Sequence, residues 1–239
     1  MTTPSDMTDR ERRRSLVRNL VVAGALALVM LVLMWVLFIP FRQYAKVNSG
    51  GKSAAVYNLR RVANAVFNYS KDTRTPRLFP VQPGDTVHEV AFILTPYLDW
   101  DDMYIFPGDP KAPKDLNLPV SRQGAGGKWE LDPNFAQATL SIEMAANISL
   151  DAPPGTTPVA WTRGLQADGT WAADAPMENM RGYIAFLSGN VIGAEKLSTG
   201  PGGTSLTKYG THEPTANILE ALPPGAVLLS AEPNAARNK

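Results

Sequence analysis

The chain has 239 residues, which is enough for one sizeable domain or two small ones, each with its own core. Its 23 basic and 22 acidic residues give a net charge of +1, which excludes a general nucleic-acid binder because such proteins carry a basic surplus. Charged residues make up 19% and hydrophobic residues 44%, so wholesale disorder is excluded, and the absence of cysteine excludes disulfides, thiolate metal sites and a cysteine nucleophile.

An uncharged segment follows a short basic tail at the start of the chain. Residues 1–19 carry five arginines against three acidic residues, and the next 22 residues, from Leu20 to Phe41, contain no charge. As a helix this run would span about 33 Å, enough to cross a hydrocarbon core of about 30 Å. A cleavable signal peptide is the alternative, but its apolar region is about 7–15 residues long and ends in small residues. The sequence therefore predicts an uncleaved transmembrane helix over residues 20–41.

The flanks of this run predict its orientation. Arginine is concentrated in residues 1–19, so the positive-inside rule and the large following domain favour a cytoplasmic tail. Trp35, Arg42 and Tyr44 would then lie at the outer interface, and residues 42–52 would form a juxtamembrane linker. In a bacterium this arrangement predicts an inner-membrane protein with the lipid bilayer as one partner and a periplasmic domain over residues 53–239.

A long amphipathic helix is predicted directly after the linker. Between residues 54 and 72, apolar side chains recur at helical spacing and polar or basic side chains occupy the opposite face. A shorter helix is predicted over residues 87–97. The apolar stripe of the long helix consists of Ala55, Leu59, Val62, Ala63, Val66 and Tyr69, and the opposite face of Arg60, Arg61, Asn64, Asn68 and Lys71.

Strands are predicted in the second half of the chain. Segments typical of strands cover residues 138–148, 157–165, 182–187 and 191–197. Turns are predicted at residues 167–170 and 188–190, and the second of these joins two strands into a hairpin. Helices followed by antiparallel strands predict an α+β domain in which the long amphipathic helix packs on an antiparallel sheet.

Several segments carry a family resemblance. They are NLRRVANAVFNY (residues 58–69), Phe79-Pro80, IFPGDP (residues 105–110), TPVAWTR (residues 157–163) and RGYIAFLSGNV (residues 181–191). In this order they resemble the type IV pilin-like and type II secretion pseudopilin-like proteins, especially large members with a late GGHVxFLDGHV segment. The resemblance implies a pilin-like α+β head. Residues 14–19 lack the prepilin peptidase glycine, and the apolar run lacks the family's glutamate, so filament assembly is not implied.

One acidic segment could bind a cation. Asp99, Asp101, Asp102 and Asp109 lie close together in the sequence, and Ca²⁺ prefers clustered oxygen ligands. An EF-hand loop would need glycine where Tyr104 stands. The segment is therefore a weak calcium candidate, and a solvated acidic loop is the alternative.

Other candidate sites are less specific. The sequence GGKS at residues 50–53 resembles the end of a P-loop, but Lys46 stands where the first glycine belongs, so a flexible joint is the better interpretation. His88 and His212 have no nucleophile partner in the sequence and are interpreted as surface or capping residues. We therefore predict no catalytic residue, no cofactor and no small-molecule substrate.

Three functions fit these predictions. The first is a non-catalytic, single-span accessory or structural subunit of an inner-membrane complex, whose head contacts other membrane-protein subunits. The second is a pseudopilin-like component of a type II secretion or type IV pilus system. The third is a membrane-tethered periplasmic enzyme with unrecognised carboxylates. The first is preferred, and nucleic acid is expected to be absent from its partners.

Overall fold

A computed structural model of the chain describes residues 16–17, 19–24, 26, 28, 30, 51–73, 77–79, 85–98, 103–177 and 181–233. The chain divides into two compact units, Met1–Ser49 and Gly50–Lys239. All strands of the described residues belong to the second unit.

The first unit corrects the prediction of a transmembrane helix. Its described residues are helical, and those of the predicted span that can be assessed, such as Leu20 and Met30, are exposed. Crossing a bilayer takes about 20 consecutive apolar residues in one helix. No helix within the described residues meets this requirement of length and apolarity. On this finding, the predicted membrane anchor is wrong, and so is the inner-membrane localisation derived from it. The predicted interface residues lie outside the described residues; they are Trp35, Phe41, Arg42 and Tyr44.

The second unit alternates short strands with a few helices. Short 3-10 turns occur at Thr95–Tyr97 and Ala125–Gly127. The helices are α1 (Gly51–Thr73), α2 (Val87–Leu94), α3 (Pro133–Ala136) and α4 (Ile218–Ala221). The strands are β1 (Arg77–Leu78), β2 (Ser121–Gln123), β3 (Trp129–Leu131), β4 (Ile142–Ala146), β5 (Ile148–Ser149), β6 (Pro158–Thr162), β7 (Gly182–Phe186), β8 (Val191–Ala194), β9 (Leu206–Thr207), β10 (Pro214–Thr215) and β11 (Val227–Leu229).

The largest sheet has five antiparallel strands in the order β11-β4-β6-β7-β8. Every residue of β6 and β7 is buried, and because side chains alternate between the two faces of a strand, both faces of the sheet are covered there. The predicted hairpin at residues 188–190 is confirmed. It joins β7 to β8, with Gly189 at a φ of +82° and the Phe186 amide donating to the Asn190 carbonyl at 2.9 Å.

The long helix α1 forms because its apolar residues repeat with the helical period. Leu59 and Val66 are 0% and 1% exposed, so their predicted burial is confirmed. The helix contacts β6, β7 and β8 of the large sheet, and also α2. Lys71 lies in the last turn, where a positive charge interacts favourably with the helix dipole. The helix thus buries one stripe and leaves the opposite face exposed.

The predicted fold class, one long amphipathic helix on one antiparallel sheet behind a transmembrane helix, is wrong. The described residues form a mixed α/β fold with four antiparallel sheets, one of five strands and three of two. The two-stranded sheets pair β1 with β5, β2 with β3, and β9 with β10. Two of these sheets, β2 with β3 and β9 with β10, join strands that follow each other in the chain, whereas β1 pairs with β5 about 70 residues later.

The start of α2 connects to the far end of the chain. The Val87 amide donates to the Ser230 carbonyl at 3.1 Å, just after β11. The Thr86 amide donates to the Glu89 carboxylate at 2.7 Å, which satisfies one of the amides at the start of the helix. The prediction of a helix over residues 87–97 is confirmed as α2 followed by a 3-10 turn that contains Pro96.

Candidate functional site

Asp109 and Arg163 form a buried ion pair. The Arg163 Nη2 atom lies 2.6 Å from Asp109 Oδ1, and the two side chains are 4% and 0% exposed. The Ser141 hydroxyl donates to Asp109 Oδ2 at 2.6 Å, and the Lys111 amide donates to Oδ1 at 2.9 Å. Arg163 also donates to the Leu140 carbonyl at 3.1 Å. The pair is therefore surrounded by further hydrogen bonds, as a charge pair withdrawn from water requires.

This ion pair joins two of the segments on which the predicted resemblance to pilin-like proteins rests. Asp109 belongs to IFPGDP at residues 105–110, and Arg163 ends TPVAWTR at residues 157–163. The Ser141 hydroxyl, which donates to Asp109, also accepts from the Phe106 amide at 2.8 Å. The two segments therefore meet at a polar contact within the core.

The calcium candidates are not brought together among the described residues. Asp109 faces Arg163, and a carboxylate held by a guanidinium at 2.6 Å is a poor ligand for a second cation. Asp99, Asp101 and Asp102 lie outside the described residues. No group of three or more His, Cys, Asp or Glu side chains in the described part of the chain could hold a metal ion.

A second layer of charges lies between the ion pair and solvent. Lys111 Nζ lies 2.7 Å from Asp174 Oδ2 and 3.2 Å from Glu232 Oε1, and all three side chains are substantially exposed. The hydrogen bond with Asp174 raises the pKa of Lys111. In turn, the bond from Lys111 lowers the pKa of Asp174. These contacts are screened by water and contribute little to stability compared with the buried pair.

The histidines occupy two different environments. His88 was interpreted as a surface or a capping residue, and because it is only 1% exposed, the surface alternative is wrong. It contacts the Thr86 hydroxyl at 2.9 Å and the Ala138 carbonyl at 2.8 Å. Burial lowers the pKa of His88, although the hydrogen bond to Ala138 opposes this change. His212 is exposed in a loop, as predicted.

The P-loop-like segment lies at the start of a helix. Gly51 begins α1, so the helix starts within the predicted linker of residues 42–52, and Gly50 lies outside the described residues. A P-loop connects a strand to a helix. Neither the sequence pattern nor this placement favours a phosphate site.

The exposed face of α1 combines aromatic and cationic side chains. Tyr57 and Phe67 are 49% and 42% exposed. The Arg61 Nη1 atom donates to the Tyr57 hydroxyl at 2.6 Å, and its guanidinium lies 5.3 Å from the Tyr57 ring centroid. The Lys71 ammonium lies 4.2 Å from the Phe67 ring centroid. We call this face the α1 stripe, and it consists of Tyr57, Arg60, Arg61, Asn64, Phe67, Asn68 and Lys71.

The turn between β7 and β8 lies beside the middle of the α1 stripe. A Cβ atom added at Gly189 would come within 2.7 Å of Asn64 Oδ1. Glycine therefore lets this turn approach the helix closely as well as adopt a positive φ. The stripe is thus supported from below by β6 and β7 and on one flank by this turn.

Sequence reasoning missed the aromatic residues of the stripe and most of the buried polar contacts. The polar side of α1 was predicted from its basic and amide residues, while Tyr57 and Phe67 received no role, although both fall at the spacing of that face. Glu143 was also missed. Its carboxylate accepts from Trp161 Nε1 at 2.8 Å on the neighbouring strand, and burial raises its pKa. A single acidic residue within an otherwise apolar strand was the available signal.

No protein-family model, no curated protein and no solved structure matches this chain. The resemblance to pilin-like and pseudopilin-like proteins therefore stays a prediction.

Proposed function

We propose that the protein is a non-catalytic structural or accessory subunit that binds another protein through the α1 stripe. The observation that carries this proposal is the exposure of Tyr57 and Phe67, each beside a cation, on one face of the longest described helix. Aromatic residues and arginine are enriched in the cores of protein interfaces and among the residues that contribute most to binding.

The environment of the ionisable residues supports a non-catalytic role. Asp109 is paired with Arg163, and His88 contacts Thr86 and a backbone carbonyl. Glu143 accepts a hydrogen bond from Trp161. Each of these groups makes contacts within the fold, so a structural role is enough to explain why these ionisable residues are present at their positions.

Size analysis of the full-length chain at its native level of expression tests the proposal. We expect the wild type to elute in a complex well above its own mass of 25.9 kDa. A double substitution, Tyr57→Ala with Phe67→Ala, should shift it toward the monomer because both aromatic anchors are lost. Trp129→Ala is the matched control, since Trp129 is 64% exposed on a different element. Elution of the wild type as a monomer would contradict the proposal.

A further inference from the structure

We propose that the α1 stripe binds an acidic, partly apolar segment of a different protein. This inference rests on the proposed function and adds the chemistry of the partner. Arg60, Arg61 and Lys71 place three positive charges on the stripe, and Asp72 at its edge is the nearest acidic residue of the helix. Complementary charge across an interface selects the partner and speeds association.

The stripe has the dimensions of a helix-sized docking surface. Its residues extend from Tyr57 to Lys71, a length of about 21 Å at the helical rise per residue. At about 100° per residue they fall within roughly 120° of the helix circumference. Aromatic and cationic side chains therefore alternate along a single face, so one extended or helical segment could contact all of them.

The side chains of the stripe are partly ordered before binding. Arg61 is held by the Tyr57 hydroxyl, and Lys71 lies over the Phe67 ring. Ordering long side chains in advance reduces the entropy lost on association. Arg60 is exposed on the same face, and a guanidinium can donate two parallel hydrogen bonds to a carboxylate. An acidic segment with apolar residues between its carboxylates would match this arrangement.

Charge also argues against two other occupants. A twofold dimer formed through this face would bring the three cations of both copies into one interface, where Asp72 of each helix is the only acidic residue of that helix to offset them. A nucleic acid offers a charge about every 1.7 Å along a duplex, far denser than three cations spread over about 21 Å. A different protein with a locally acidic surface fits the spacing better.

Site-specific photocrosslinking in the native cells tests the inference with benzoylphenylalanine as the probe. The probe replaces Phe67 in one full-length variant, Tyr57 in a second and Trp129 in a control. We expect positions 67 and 57 to crosslink to the same acidic segment of one other protein, identified by peptide sequencing, and position 129 not to do so. If positions 57 and 67 crosslink to the same segment and position 129 does not, the partner is located on the α1 stripe.

Charge reversal provides the matched comparison. With the probe at position 67, Arg60→Glu should lower the crosslink yield about tenfold, while Arg60→Lys should largely retain it. Arg122→Glu is the control, because Arg122 is an exposed cation on a different element, β2. Thermal unfolding of each variant verifies that the fold is retained.

Several outcomes would overturn the inference. They are crosslinks to nucleic acid, to lipid, to a second copy of this chain or to a segment without acidic residues, and the absence of any crosslink from the stripe. A crosslink from the stripe to a segment of another protein without acidic residues refutes only the acidic partner. The other outcomes show that the stripe does not bind another protein, so they refute the proposed function too. If the wild type elutes as a monomer, the proposed function fails as well.

Discussion

Asp109 and Arg163 lie 54 residues apart in the sequence and 2.6 Å apart in the core. Their contact closes the loop after α2 against the end of β6, and Ser141 beside β4 completes it. Removing one partner of such a pair leaves an uncompensated buried charge, which is more costly than the net gain from forming the pair. The pair is therefore a point at which single substitutions should have large effects.

Arg163→Met should lower the free energy of unfolding by about 3–5 kcal/mol, because Asp109 would keep a buried charge without its cation. Urea unfolding of the full-length chain, followed by tryptophan fluorescence, measures this change. Arg122→Met is the control and should change stability by less than about 0.5 kcal/mol, since Arg122 is exposed. Equal effects of the two substitutions would show that the Asp109 contact does not carry the stability assigned to it.

Leu59→Ala should cost about 2–4 kcal/mol, because Leu59 is fully buried between α1 and the sheet and its truncation leaves a cavity. Phe67 is 42% exposed on the same helix, so Phe67→Ala should change stability by less than about 1 kcal/mol. Chemical unfolding of both variants measures the difference. A similar loss at the two positions would mean that Phe67 is covered within this chain.

Gly189→Ala should destabilise the chain by about 1–2 kcal/mol, because a residue with a Cβ atom is strained at a φ of +82°. The new Cβ would also meet Asn64, whose flexible side chain can move. The double variant, Gly189→Ala with Asn64→Ala, should therefore recover only a small part of the lost stability. Gly155→Ala is the control, since no atom lies within 4 Å of a Cβ at that exposed position. A fully restored stability in the double variant would assign the cost to the contact with Asn64 rather than to the backbone.

Stability should fall as the pH is lowered through the range in which unfolded histidine gains its proton. Burial lowers the pKa of folded His88 below its usual value of 6.5, although the Ala138 carbonyl and the charges of Glu89 and Glu232 oppose this. The unfolded chain then binds more protons, so the stabilisation is complete above about pH 6.5 and is lost as the pH falls toward the folded pKa.

Urea unfolding between about pH 7.5 and pH 5.5 measures this dependence. His88→Gln should flatten it, because this substitution removes the buried imidazole. One histidine contributes at most about 1.4 kcal/mol per pH unit. An unchanged slope in His88→Gln would assign the dependence to other groups.

Local periodicity predicted α1, α2 and the hairpin between β7 and β8. Each of these depends on residues close in the sequence, such as the apolar repeat around Leu59 or the turn at Gly189. Local periodicity could not predict the contact between Asp109 and Arg163. Both residues belong to segments named in the sequence analysis, but nothing in their local sequence indicates that they pair. Proximity across 54 residues is a property of the folded chain.

The errors have a common physical origin. The uncharged run predicted a transmembrane helix over residues 20–41, and strand-like segments separated by turns predicted a single sheet. Such local features record how well a segment tolerates an apolar or extended environment, but they do not specify the length of the helix that forms or which strands pair. Strands such as β9 and β10 contain only two residues each, which is too short for an alternating pattern to be recognised.

The edge position of β11 has a consequence for the newly synthesised chain. β11 pairs with β4, which was synthesised much earlier, and Asn147 next to β4 donates to the Gly225 carbonyl at 2.7 Å. Until residue 229 has been added, β4 therefore presents one unpaired edge, which is a known starting point for aggregation. During translation, the edge of β4 stays unpaired from the time β4 is synthesised until β11 has been added. In this interval the protein would benefit most from a chaperone that shields exposed strand edges.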